Sequence, residues 1–309
     1  LLLILQIFVS HSLFLNRIEL LLSILTVTKG NRMQPTQTCL VTGANAGLGK
    51  ALATGLAGTG ARVILLCRDS ARGAVARDEI KALSHNTAID LVIGDLASQA
   101  SIRATVEKIH ALTPSLEVLI NNAAVYKSTY TTTPDGLETM FETNHLGYFL
   151  LTLLTFDLWK PNGRILNITA PSTTRLNFDD LQGAQKFNAL TAFGASKMAN
   201  LLFTFSLAKR LEGQACTVNA VSPGLVRSSI MREVNVLVRA ITFAISQPPE
   251  KAAQGILPLA TEPEFSTRSG RLFQNRRELQ ADSYAYDAAI QQRLWSTSLE
   301  LTGLPPDLI

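Results

Sequence analysis

Between a short apolar stretch and a helical pattern the chain carries Thr42-Gly43-Ala44-Asn45-Ala46-Gly47-Leu48-Gly49. Glycines at such a turn allow a tight bend and bring backbone N–H groups against a pyrophosphate. The helix that follows presents its positive N-terminal end to the phosphates. Gly43, Asn45, Gly47, Leu48 and Gly49 are therefore the cofactor-binding candidates of this turn. Between a strand and a helix the pattern reads as a dinucleotide site, and the bland alternative is an ordinary strand-to-helix connection. An acid at the end of the second strand would bond the ribose 2′-OH of NAD and repel a 2′-phosphate. Here Cys67 and Arg68 stand at that place. A guanidinium fork suits a phosphate, so NADP(H) is the expected cofactor. The opposing reading makes Arg68 a solvated strand-end charge. No CxxC pair or His/Cys cluster suggests a metal.

The elements that must position this turn alternate along the chain. Strands are predicted at 37–41, 62–67, 89–94, 117–120, 164–168 and 217–221, with a short last one at 271–273. Helices are predicted at 48–59, 71–83, 98–112, 137–158, 193–211, 249–259 and 284–301. Apolar runs that alternate with amphipathic segments predict an α/β fold, a doubly wound parallel sheet in a single domain from about residue 33 to 309.

Composition narrows the class. The 309 residues are 47% hydrophobic and 17% charged, with 12 prolines, which excludes a disordered chain and a low-complexity array. Three distant cysteines, Cys39, Cys67 and Cys216, exclude a disulfide scaffold and fit reduced thiols in a cytoplasmic setting. A net charge of +4 with no dense basic block argues against a nucleic-acid surface. Residues 1–32 differ from the rest, being two apolar runs split by His11, Asn16, Arg17 and Glu19. They read as upstream sequence ahead of a start at Met33, as a hydrophobic membrane anchor, or as a packed extension. Neither run reaches the ~20 continuous apolar residues of a bilayer span.

With further motifs in order, the chain resembles the short-chain dehydrogenase/reductase superfamily, across about Gln37 to Gly303. Asp95-Leu96 ends the third strand and Asn121-Asn122-Ala123-Ala124 the fourth, the last resembling NNAG with Ala124 for glycine. Asn144 lies in TNHLGYFLLT, and Pro223-Gly224 follows the sixth strand. NHLGYFLLT, SKMANLLF and LWSTSLELTG look closest to the retinol-dehydrogenase-like branch. The resemblance implies cofactor contacts from Asp95, Leu96, Asn122, Ala123, Pro223, Gly224 and Ser228, and a homodimer through the helices holding Asn144 and Lys197. It also implies hydride transfer between nicotinamide and a hydrophobic alcohol, aldehyde or ketone.

The family's chemistry uses a tyrosine as proton donor, a lysine four residues later that holds the ribose, a serine on the substrate oxygen and an asparagine supporting a water relay. Lys197 matches the lysine and Asn144 the asparagine. The tyrosine position is Phe193, and the serine position is Ala170, just after Thr169. Replacement donors to consider are Thr169, Ser172 folding back, Tyr126, or a water held by Asn144 and Lys197. Tyr126, Tyr130 and Tyr148 also read as pocket-wall aromatics, and His145 as facing away. Two functions follow: a weak NADP(H)-dependent oxidoreductase, or a catalytically inactive NADP(H)-binding protein acting as sensor or partner.

Overall fold

The computed structural model describes residues 37–214, 216–227, 243 and 245–309. Residues 1–32, most of the segment 227–247 and Ser228 lie outside these. Eight strands form one sheet: β1 (Thr38–Thr42), β2 (Arg62–Cys67), β3 (Ile89–Ile93), β4 (Leu116–Asn121), β5 (Trp159–Ile168), β6 (Cys216–Val221), β7 (Leu272–Gln274) and β8 (Arg277–Leu279). Their order is β3-β2-β1-β4-β5-β6-β7-β8, all parallel except the terminal β7–β8 hairpin. Among the described residues the α-helices are α1 (Gly47–Gly58), α2 (Ser70–Ser84), α3 (Gln99–Leu112), α4 (Thr139–Phe141), α5 (Gly147–Leu154), α6 (Ala189–Arg210), α7 (Pro249–Thr261) and α8 (Ala288–Thr302).

Side chains alternate across a strand, so each buried strand feeds two cores. Cys39, Val41, Val63 and Leu65 face α1, α2 and α7. Leu40, Ile64 and Leu66 face the opposite layer, with α3, α5 and the C-terminal helix α8. The chain winds outward from β1 to β3, then returns to place β4 on the other side of β1. This reversal opens a crevice at the carboxyl ends of β1 and β4, where open α/β sheets bind ligands.

Three expectations need correction. The helix expected at 137–158 runs without a gap from Thr139 to Leu154 but holds a π-helical turn, Glu142–Leu146, between α4 and α5, and a 3₁₀ turn, Phe156–Leu158, follows. Strand β5 starts at Trp159, earlier than its apolar run, because that end pairs with Leu116 across a bulge. Arg277–Leu279 form the edge strand β8, with Arg277 and Glu278 exposed and Leu279 alone packed against the core, too short a run to signal a strand. Phe203 and Leu207 are core, under Trp295 of α8, and Phe205 stacks on Tyr286 at 4.7 Å.

Candidate active site

The turn after β1 is held by its backbone. Gly43 N–H donates to the Leu66 carbonyl (2.8 Å) and sits at φ +65°. A Cβ there would lie 2.9 Å from the Ala123 Cα, so a side chain would push the two strand ends apart. Gly47 has φ +53° and open space around the missing Cβ. Ala46, the N-cap of α1, offers no side-chain acceptor, whereas α2, α3, α6 and α8 are capped by Asp69, Ser98, Asn188 and Asp287. The first N–H groups of α1 are thus left for a ligand. A glycine cradle, open space and uncapped amides fit a dinucleotide pyrophosphate.

Thr42, which sequence reasoning treated only as the start of the turn, welds β1 to β4. Its hydroxyl accepts the N–H groups of Asn122 (2.8 Å) and Ala123 (2.9 Å), and Asn122 Nδ2 donates to the Thr42 carbonyl (2.9 Å). A polar residue closing an apolar strand was the available signal. At the far end of the crevice, Arg68 Nη1 lies 3.8 Å from Asp95 Oδ2, both partly in water. Asp95 also accepts the Ala97 N–H (3.0 Å). Leu96 is buried against Gly147. Gly224 has φ +68°, and Gln247 Nε2 donates to the Pro223 carbonyl (2.9 Å).

The π-helical turn places Asn144 and His145 on different sides. Asn144 is fully buried. Its amide donates to the Val125 carbonyl (3.0 Å) and the Ser196 hydroxyl (3.1 Å), and its oxygen accepts the Val125 N–H (2.8 Å). It clamps the loop after β4 to α6. Ser196, which sequence reading did not single out, completes the clamp by donating to the Phe193 carbonyl (2.7 Å). His145 instead pairs with Ser298 of α8 (2.9 Å) and packs between Phe141, Phe149 and Phe203. It faces away from the crevice, as its place beside Asn144 predicts.

One turn of α6 brings Phe193 and Lys197 together, with the ammonium 5.2 Å from the ring centroid. Lys197 is 6% exposed and has no hydrogen-bond acceptor or carboxylate partner among the described residues. Burial pulls its pKa down to about 8. Ala170 presents only a methyl group at the end of β5. The neighbouring hydroxyls are committed to backbone: Thr169 donates to the Lys197 carbonyl (2.9 Å) and Ser172 to the Gly194 carbonyl (2.8 Å). Tyr126 meets the Phe193 ring edge-on, at 5.7 Å and 67°. Tyr130 lies against Phe187 on the surface, and Tyr148 is buried in the core, where desolvation drives its phenol pKa far up.

The family model described as short chain dehydrogenase matches residues 37–236. The chain belongs to this family. Within it, the chain falls in the retinol-dehydrogenase-like branch. It is 38% identical over 288 residues to retinol dehydrogenase 14 of Mus musculus, covering 87% of this chain and 86% of that protein. It is 37% identical over 283 residues to retinol dehydrogenase 13 of Homo sapiens, covering 87% and 86%. Among solved structures, an uncharacterised protein from Mycobacterium paratuberculosis superposes with a TM-score of 0.72 at 27% identity, covering 90% of this chain and 97% of that one. A short chain dehydrogenase from Burkholderia cenocepacia in complex with NADP superposes at 0.64 and 23% identity, covering 83% and 100%, a likeness of fold. Members of the short-chain dehydrogenase family are nucleotide-dependent oxidoreductases. Among the described residues no helix is long and apolar enough to cross a membrane.

Proposed function

We propose that this chain is an NADP(H)-dependent oxidoreductase, slow for its family, acting on a hydrophobic alcohol, aldehyde or ketone. The observation that carries this reading is Lys197. A largely buried ammonium with no protein acceptor is poised for a ligand that supplies one in place of water. The crevice above it offers the room, and ribose hydroxyls would supply the acceptors. Gly43, Gly47, Gly49 and the first amides of α1 would hold the pyrophosphate, and Asn122, Ala123, Pro223 and Gly224 would contact the rest of the cofactor. Arg68, in a long, partly hydrated pair with Asp95, is available to a 2′-phosphate, and no acid at Cys67 opposes one. The NADP-bound family structure and the retinol dehydrogenase relatives point the same way for cofactor and substrate class.

The bound nicotinamide would supply hydride to, or take it from, the carbinol carbon. The chain's part is to keep that carbon oriented, exclude water and move a proton at the oxygen. Loss of a positioned acid costs about 10²–10⁴ in rate. Without an acid at the family position a low rate is expected, and a second reading, an inactive NADP(H)-binding protein, draws on the same observation: Phe193, Ala170 and the two committed hydroxyls.

The deciding assay is NADPH oxidation with a panel of hydrophobic aldehydes and ketones, with Lys197→Ala as background. The expected result is turnover above that background. Firm NADPH binding without turnover would establish the inactive reading instead. Introducing Phe193→Tyr with Ala170→Ser should raise turnover and leave NADPH affinity nearly unchanged.

A further inference from the structure

We propose that Tyr126 is the proton donor of this site, taking over from the tyrosine that Phe193 replaces; the assignment rests on the oxidoreductase reading above. Four sources of a proton were open on the sequence. The structure ties up two of them, since the Thr169 and Ser172 hydroxyls both donate hydrogen bonds to backbone carbonyls. The third, a water held by Asn144 and Lys197, loses one of its two anchors because the Asn144 amide is spent on Val125 and Ser196, which leaves such a water only the Lys197 ammonium, itself a donor with no lone pair to fix the water's orientation. Tyr126 remains. Its phenol has no hydrogen-bond partner among the described residues, and it is half-buried rather than sealed in the core.

Its placement is also constrained. The residue before it, Val125, is gripped at both backbone groups by Asn144. Its ring lies edge-on to Phe193, which in turn lies under the Lys197 ammonium. Tyr126, Phe193 and Lys197 therefore form a contiguous wall at the end of the crevice. Tyr130 and Tyr148, the other tyrosines near this part of the chain, contact Phe187 on the surface and the core beneath the sheet.

In the reducing direction the carbonyl carbon gains a hydride, which carries both electrons, from reduced nicotinamide, which is left oxidised, and the C=O π bond breaks onto oxygen. The substrate oxygen then takes the Tyr126 phenolic proton as the new C–O–H forms. The phenolate regains a proton from solvent. Oxidation runs the same proton path in reverse.

The test uses the full chain, NADPH and decanal. Tyr126→Phe should lower kcat by about 100-fold or more, with the NADPH Kd within about 3-fold of the parent. Adding Phe193→Tyr to Tyr126→Phe should restore turnover, because the phenol returns to α6. Independently of turnover, nitration by tetranitromethane, mapped by mass spectrometry, should mark Tyr126 in the free protein and spare it when NADPH is bound. Tyr130 should be nitrated in both. An active parent whose Tyr126→Phe variant keeps its rate would overturn this assignment and leave the oxidoreductase reading standing. Nitration of Tyr126 undiminished by NADPH would also overturn it. A parent with no turnover on decanal or any panel substrate would bring down the oxidoreductase reading and this assignment together.

Discussion

Phe193 keeps the shape of a tyrosine and discards its proton. Its ring still gives Lys197 a cation–π neighbour, worth roughly 0.5–2 kcal/mol. The substitution is thus easy for the fold and costly for the chemistry. Gly43 shows the reverse constraint, where the backbone admits no side chain. Its positive φ and the nearby Ala123 Cα both exclude a Cβ. Gly43→Val should weaken NADPH binding at least tenfold, about 1.4 kcal/mol, by tilting the turn and displacing Asn122 and Ala123. Fluorescence titration reads this directly, and an unchanged Kd would move the phosphate site elsewhere.

Among the elements, the π-helical turn Glu142–Leu146 carries two neighbours with opposite contacts: Asn144 reaches Val125 and Ser196 while His145 reaches Ser298. The helix carrying Asn144 is therefore fixed on one side to the crevice and on the other to α8. Helix α8 is anchored by Trp295, which packs on Phe149 and Phe203 and carries the Arg210 guanidinium 4.0 Å above its ring. Trp295→Ala should cost about 3–5 kcal/mol, read as a lower urea midpoint at unchanged m. A loss below about 1 kcal/mol would mean that α8 contributes little to the cooperative unit.

For the molecule as a whole, two buried groups give stability opposing pH dependences. Burial lowers the His145 pKa to about 3 from 6.5, so the folded state refuses a proton that the unfolded chain accepts. Its contribution is complete above pH 6.5 and is lost as pH falls through that window toward 3. Burial, reinforced by the nearby Asp135 charge, raises Glu142 to about 7 from 4.5 against a bond from Thr133. The folded state there prefers the proton, and stability is lost as pH rises from 4.5 to 7. Replacing His145 by glutamine, which can still reach Ser298, should flatten the acid limb between pH 6.5 and 5 by up to about 1.4 kcal/mol per pH unit. Denaturation curves at matched pH values check the difference between variant and parent, and parallel pH profiles would count against a neutral buried imidazole.

Much of this was legible in residue order. The glycine turn, the alternating apolar runs and Lys197 four residues after Phe193 follow from local rules of period, sterics and capping, which act within a few residues. The missing phenol at 193 and missing hydroxyl at 170 were equally plain, since they are matters of residue type. Long-range contacts fixed what remained. Within the helix expected at 137–158, Asn144 and His145 find their partners on different elements, more than fifty residues away in the case of Ser196. Ser172 is turned from the crevice's chemistry because its hydroxyl donates to the Gly194 carbonyl. Tyr126 reaches the end of the site only because Asn144 pins the preceding residue and β4 lies beside β1. A side chain's freedom to do chemistry depends on which partners have already claimed it, and those partners come together only when the sheet and its two helical layers close.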